Sequence, residues 1–173
     1  TAPEQARLLE ALGADIGAGA GADSTTLFVS TPVASAQEVG AVLADMVQRP
    51  AFAAEELQRT RTRSINAQRV AMRQPGPLAA AVLDRIAYGD AAYGVPGDGT
   101  VESLAGISRD QVVGYHHDFW RPDNAALIVT GGMSADEGFA FAERALGGWA
   151  RPAAPVPVIA DRAGPVRPPR VVV

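Results

Sequence analysis

The sequence predicts an α+β fold, in which a small, mostly antiparallel sheet has helices packed on one face. Helical patterns outnumber strand-like ones, and helical blocks of uneven length separate the strands. A regular alternation of strands and helices, which would indicate a parallel sheet, is not present in the sequence. With 173 residues, of which 47% are apolar and 20% charged, the chain is long enough to bury a core.

The first thirty residues predict one helix followed by two strands. Residues 3–12 have apolar positions at helical spacing, and Gly13 ends the pattern. Ser24–Ser30 is rich in β-branched and aromatic residues, which is typical of a strand. The glycine-rich stretch Asp15–Asp23 is its candidate partner, although glycine weakens a strand.

Capping patterns and apolar periodicity predict five further helices. Three of them begin with a capping box, formed by Ser35 with Glu38, Ser108 with Gln111, and Ser134 with Glu137. The other two are bounded by prolines. The predicted ranges are 35–49, 53–73, 77–88, 108–119 and 134–149. Their apolar stripes are Val39, Val42, Leu43, Met46 and Val47 in the first, Leu78, Val82 and Ile86 in the third, and Phe139, Ala142, Leu146 and Trp149 in the last.

The C-terminal part predicts one more strand and then a linker. Ala125–Thr130 (AALIVT) has the composition of a buried strand that ends in a Gly-Gly turn. From Arg151 to Arg170 the chain is rich in proline, and Val171–Val173 is typical of a further strand. We therefore divide the chain into an αβ unit at residues 1–150 and a proline-rich linker at 151–173. We expect the linker to lead into another unit, so that the chain is a fragment of a longer protein.

The sequence offers few residues for metal binding or nucleophilic catalysis. It has no cysteine, and its only histidines are His116 and His117. Neighbouring residues on a helix point about 100° apart, so this pair cannot hold one ion as an i, i+4 pair does. There is no HExxH, HxxEH or G-x-S-x-G string, and the alternating glycines at 17–21 lack the lysine of a phosphate loop. We predict no catalytic and no metal-binding residue, and the substrate-binding residues stay unknown.

The charge and hydropathy patterns argue against a nucleic-acid partner and against a membrane span in this segment. All 15 basic residues are arginines, and five lie close together. These five are Arg59, Arg61, Arg63, Arg69 and Arg73. No aromatic residues are interleaved with them, so the stretch predicts a solvated, ion-paired helix surface and no nucleic-acid partner. No apolar run reaches the roughly 20 residues of a membrane-spanning helix, and no signal segment opens the chain.

Four stretches resemble, in order and spacing, the motifs of the M16 (pitrilysin/insulinase-type) zinc peptidase family. Residues 10–29 are similar to its "E-x-x-G-A…D-x-T" region, and Gln48–Ile65 (QRPAFAAEELQRTRTRSI) to "P-x-F" followed by "E-L-x-R-x-R". Residues 88–104 (YGDAAYGVPGDGTVESL) resemble "Y-x-x-H-P-Y-G…G-T-x-E-S-L". Residues 115–132 (YHHDFWRPDNAALIVTGG) resemble "F-Y-x-x-x-Y-x-P-x-N-A-x-L-x-V-x-G". The resemblance covers nearly the whole chain.

The resemblance also shows which residues of the family are missing. An active M16 enzyme binds zinc through an HxxEH string and a downstream glutamate on the helix that matches Glu56–Arg73. In this sequence that glutamate would fall at Asn66 or Ala67, and Ser64–Val70 contains no Asp or Glu. The HxxEH string would lie before Thr1. The resemblance therefore implies a chain that has no zinc ligands and is inactive alone.

The resemblance implies a LuxS/MPP-like αβ unit of a non-catalytic half. Such a half closes over a zinc-bearing catalytic half or subunit and helps to enclose a peptide substrate. By family habit, a bacterial periplasm or cell-envelope location is expected. Two alternatives remain open at this point. The chain could be an assembly subunit, like the core proteins of respiratory complexes, or part of an active metalloendopeptidase whose HxxEH lies outside these residues.

Overall fold

The computed structural model describes residues 2–159, which separate into two compact units. One unit comprises residues 2–20, 24–51 and 113–157, and the other comprises residues 21–23, 52–112 and 158–159. Within the described residues there are seven α-helices and two β-strands. None of the helices found there is long and apolar enough to cross a membrane. The predicted α+β class is confirmed.

The two strands form an antiparallel hairpin in the first unit. Helix α1 (Ala2–Ala11) precedes strand β1 (Asp15–Ala20), which pairs with strand β2 (Thr25–Ser30). In this register Gly17 lies opposite Phe28, and the phenyl ring occupies the space that a side chain on Gly17 would need. The pairing of β1 with β2 confirms the candidate partner strand. The Phe28 ring of β2 lies over Gly17 of β1.

Helices α2 (Ala36–Gln48) and α7 (Ala135–Leu146) pack together in the same unit. On α2, Val39 and Val47 are buried as the periodicity predicts. The α7 stripe is partly wrong, because Phe139 is 77% exposed. Phe141 takes its place, and its ring lies where a Cβ on Gly40 would come within 2.6 Å of it. The absence of a side chain on Gly40 thus permits the close approach of the two helices.

The second unit is built mainly from helices. They are α3 (Ala54–Ala71), α4 (Pro75–Tyr88) and α5 (Val101–Gly106), and α6 (Arg109–Phe119) begins in this unit and continues into the other. Helix α3 packs against α5, and α4 packs against a short 3₁₀ turn at Ala92–Gly94. Pro75 does not only end the preceding helix, because it occupies the first turn of α4, where proline's missing N–H costs no hydrogen bond.

Two of the three predicted capping boxes form. Ser108 exchanges hydrogen bonds with Gln111, and Ser134 does so with Glu137. The box predicted at Ser35 is wrong. A 3₁₀ turn at Val33–Ser35 leads directly into α2 and holds Ser35 at φ −95° and ψ −4°. This helical backbone conformation does not allow the side chain to cap, since a capping residue needs an extended one.

The predicted strand Ala125–Thr130 is also wrong as an element. The segment follows a 3₁₀ turn at Pro122–Asn124 and has no strand assignment. Ile128, which was expected to be buried, is 81% exposed. β-Branched and apolar residues favour a strand only where a neighbour supplies ladder hydrogen bonds, and within residues 2–159 the only pairing is that of β1 with β2. The strand predicted at Val171–Val173 lies outside the described residues.

Candidate functional site

Helix α3 carries the positions at which the family resemblance places a zinc glutamate. Its acidic residues, Glu55 and Glu56, both lie in the first turn, where the helix dipole favours negative charge. Arg59 pairs with Glu56 one turn further on. From Leu57 to its end α3 has no other carboxylate. The distribution of acids on this helix is therefore explained by helix stability alone.

The expected zinc-ligand positions, Asn66 and Ala67, are both solvent-exposed. An amide and a methyl group do not provide the anionic oxygen that Zn²⁺ takes from a carboxylate. Asn66 instead lines an open depression of about 470 Å³ on the surface of α3. We call this surface the α3 face, and it consists of Gln58, Arg59, Thr62, Arg63 and Asn66. The residues present at this position do not fit zinc.

On the other side of α3, one buried polar side chain forms a hydrogen bond to the loop that precedes α5. Gln68 is 7% exposed, and its Nε2 donates a hydrogen bond to the carbonyl oxygen of Gly99 at 2.9 Å. Gly99 has a φ of +76°, a conformation that favours glycine. The next residue, Thr100, caps α5 in a capping box with Ser103. Gln68 thus fixes the loop from which α5 begins, and with it the contact between α5 and α3.

The first turn of α5 carries an acid that its cap stabilises as the anion. Backbone hydrogen bonding at the start of the helix, together with a hydrogen bond from Thr100, lowers the pKa of Glu102. The side chain is exposed. An exposed carboxylate with a lowered pKa at a helix start is a structural feature, since a general acid or base needs a pKa nearer neutrality.

The histidine pair is divided between two different partners. His116 Nε2 donates to the carbonyl oxygen of Val47 at 2.8 Å, and its ring stacks on Trp120 with a centroid distance of 5.8 Å. His117 Nδ1 contacts the carboxylate of Asp118 at 3.0 Å. Within residues 2–159 no three histidine, aspartate or glutamate side chains lie close enough to hold one metal ion.

A buried arginine joins the end of α6 to the segment after α7. Arg121 is 3% exposed and binds Asp123 through both Nε and Nη2. Its Nη2 also donates to the carbonyl oxygens of Pro152 and Ala154, the latter at 2.6 Å. The hydrogen bond from Arg121 lowers the pKa of Asp123, and the same bond raises the pKa of Arg121. The pair is therefore charged at neutral pH and anchors the first residues of the proline-rich segment.

The structural roles of Gln68 and Arg121 were not predicted, although each residue leaves a signal in the sequence. Gln68 lies on the same helical line as Ile65 and Met72, so it is a polar residue within an apolar stripe. Arg121 precedes Asp123 by two residues across a proline, a spacing that permits a local bidentate pair. In both cases the partner that explains the burial is distant in sequence.

Comparisons with known proteins agree with this picture of the fold. Residues 106–173 match the family model of the peptidase M16 inactive domain. Over 93 residues the chain is 30% identical to the Uncharacterized zinc protease YmxG of Bacillus subtilis, an alignment that covers 54% of this chain and 23% of that protein.

Two solved structures show the same fold. The peptidase M16 inactive domain from Pseudomonas fluorescens superposes with a TM-score of 0.80 at 24% identity, covering 91% of this chain and 39% of that one. A protease from Helicobacter pylori superposes with a TM-score of 0.88 at 16% identity, covering 95% of this chain and 40% of that one. The chain thus spans about a quarter to two fifths of the length of these relatives. The resemblance to the M16 zinc peptidase family is confirmed, and the matched family domain is the inactive one.

Proposed function

We propose that this chain is a non-catalytic, substrate-enclosing portion of an M16-type zinc metallopeptidase that acts on peptides. In this proposal a catalytic half or subunit supplies the HxxEH string and the zinc, and this chain supplies part of the wall around the substrate. Residues 1–150 act as one αβ unit, and residues 151–173 act as the linker to the next. The chain alone is inactive.

The observation that carries the proposal is the chemistry of Asn66 and Ala67 on α3. An M16-type zinc site needs a carboxylate here, and both residues are neutral and exposed. The nearest acids on the helix, Glu55 and Glu56, lie about three turns away in its first turn. Since His116 and His117 contact different partners, the chain offers no second set of ligands among its described histidines.

The α3 face, which lies where the family resemblance places the zinc glutamate, supports the enclosing role. The α3 face is open, and hydroxyl, amide and guanidinium groups border it. Such groups bind the polar backbone and side chains of a peptide without performing chemistry on it. The match to the inactive domain of the family, and the zinc protease relative, agree with a chain that works beside a catalytic part.

A reconstitution assay tests this function. Cleavage of a fluorogenic peptide is measured for this chain alone, for an M16 partner that carries HxxEH, and for the two together. We expect no cleavage by the chain alone and a several-fold higher rate for the pair than for the partner alone. Replacing a histidine of the partner's HxxEH should abolish the activity, whereas His117→Asn in this chain should leave it unchanged.

Each of two outcomes would contradict the proposal. Cleavage by this chain alone, at a rate that chelators reduce, would show that it contains a zinc site. A stable complex whose cleavage rate equals that of the partner alone would favour the alternative of an assembly subunit.

A further inference from the structure

We infer that the α3 face binds the acidic side chains of an extended peptide, with a preference for acids at alternate positions. This inference rests on the proposed function, because it names the class of peptide that the enclosing surface holds. It concerns the same depression that occupies the position of the missing zinc glutamate.

The α3 face includes two arginines, Arg59 and Arg63, one helical turn apart. Its five residues are Gln58, Arg59, Thr62, Arg63 and Asn66, which fall at spacings of one, three or four positions and so share one side of the helix. No carboxylate lines the depression. An arginine side chain combines an aliphatic stem with a charged end that stays in contact with water.

The charge of the chain is segregated toward this helix. Residues 54–73 contain five arginines and two glutamates, a net charge of +3, within a chain whose net charge is −4. The rest of the chain therefore carries −7. A local positive potential on an otherwise acidic protein attracts negatively charged groups to that site and repels them elsewhere. The ligand that this pattern selects is an anion.

The two arginines are available to a ligand. Arg63 forms no ion pair within the residues that the structure describes. Arg59 contacts Glu56, but their side chains are 58% and 44% exposed, so this pair is weak and exchangeable. Arginine binds carboxylates through a planar fork of donors, which makes Asp and Glu side chains the best-matched partners in a peptide.

The spacing of the arginines matches an extended chain. Arg59 and Arg63 are one helical turn apart, which corresponds to about 6 Å along the axis. In an extended peptide, side chains two residues apart point to the same side and lie about 6.6 Å apart. Acids at alternate positions can therefore contact both arginines at once, whereas adjacent acids point to opposite sides.

Fluorescence anisotropy tests the inference with labelled peptides of equal length and composition. One peptide has two glutamates at alternate positions, one has them adjacent, and one has glutamine at both. At about 50 mM salt we expect the alternate peptide to bind roughly fivefold more tightly than the glutamine peptide. The adjacent peptide should lie between them, and 0.5 M salt should remove the differences.

Matched variants separate the α3 face from general charge. The double variant Arg59→Gln/Arg63→Gln should lose the preference for acids. The double variant Arg69→Gln/Arg73→Gln removes the same amount of charge outside the depression. It should keep most of the preference for acidic peptides. Circular dichroism and thermal unfolding should be unchanged in both, since all four side chains are solvent-exposed.

Three results would overturn the inference. Equal binding of all three peptides, unaffected by Arg59→Gln/Arg63→Gln, would remove the acidic preference and leave the proposed enclosing role intact. Absence of peptide binding at chain concentrations up to about 1 mM would also contradict the inference. The reconstitution assay would still decide the proposed function. Tighter binding of a single-stranded oligonucleotide than of the acidic peptide would assign the surface to nucleic acid instead.

Discussion

The guanidinium of Arg121 donates two hydrogen bonds to the carboxylate of Asp123, from Nε to Oδ1 at 2.6 Å and from Nη2 to Oδ2 at 2.8 Å. The same Nη2 reaches the carbonyl oxygens of Pro152 and Ala154. One buried cation thus satisfies a carboxylate and two backbone acceptors in the segment that follows α7. A segment that lacks regular structure is held in place by polar bonds to one side chain.

Replacing Arg121 with methionine should destabilise the protein strongly. The methionine fills a similar volume but leaves the carbonyl groups of Pro152 and Ala154 without this donor. The Asp123 carboxylate keeps only its contact with the exposed Arg151. We expect the midpoint of thermal unfolding to fall by on the order of 5 to 10 °C. Arg151→Gln is the matched control, because Arg151 contacts the same carboxylate at 3.1 Å with a side chain that is 74% exposed. An equal loss in both variants would show that burial does not determine the effect.

Gly40→Ala should weaken the packing of α2 against α7. A Cβ at this position meets the Phe141 ring at 2.6 Å, so the ring or the helix has to move. The strain outweighs the gain in helix propensity, and we expect a net loss of about 1 kcal/mol in the free energy of unfolding. Gly114→Ala, on α6 with nothing within 4 Å, should gain about 0.5 kcal/mol. Urea denaturation measures both, and a gain for Gly40→Ala would disprove the packing argument.

Gln68→Leu should destabilise the contact of α3 with α5. Leucine leaves the Gly99 carbonyl without its donor, and we expect a loss of about 1 to 2 kcal/mol in the free energy of unfolding. Asn66→Glu, two residues earlier on the exposed side, should change stability by less than about 0.5 kcal/mol. It should also give no zinc binding, because one carboxylate without nearby histidines is not a zinc site. A large effect of Asn66→Glu on folding would show that this position is structural.

The Ser134–Glu137 capping box should make stability depend on pH. Backbone and side-chain hydrogen bonds from Ser134 lower the pKa of Glu137 in the folded protein. Because the folded pKa lies below the unfolded one, the stabilisation is present above the unfolded value of about 4.3 and is lost as the pH falls through the folded value.

The measurement is the difference in unfolding midpoint between wild type and Glu137→Gln. It should be about 2 °C at pH 7 and should close as the pH falls through the lowered pKa of Glu137. Glu38→Gln is the control, because its S-x-x-E sequence is the same but Ser35 makes no capping bond. A pH-dependent difference of equal size at Glu38 would show that the box is not its source.

Local patterns predicted most of the fold, and the failures have a local and a long-range origin. Helix limits follow from prolines, glycines and capping residues, which act within a few residues of themselves. The capping box predicted at Ser35 does not form because a 3₁₀ turn includes this residue. The predicted burial of Phe139 is wrong because Phe141, not Phe139, faces Gly40 of α2. The segment at 125–130 has strand composition but lacks a ladder partner among the described residues. The errors at Phe139 and at 125–130 concern contacts that local spacing does not encode, whereas the error at Ser35 comes from its own backbone conformation.

The candidate site was predictable to a similar extent. The absence of an acid at Asn66 and Ala67 is visible in the sequence once the resemblance is recognised. The depression of the α3 face is not, because it depends on how five side chains lie on one side of the helix. Gln68 and Arg121 were missed, since their hydrogen-bond partners lie 31 and up to 33 residues away.

The zinc content of the purified chain decides whether it has a zinc site of its own. The protein is washed with a chelator, incubated with one equivalent of Zn²⁺, desalted and measured by metal analysis. We expect far less than one zinc per chain, because α3 provides Asn66 and Ala67 where a carboxylate is needed. About one tightly bound zinc per chain would show that the chain has a complete zinc site, and the proposal of a non-catalytic portion would be wrong.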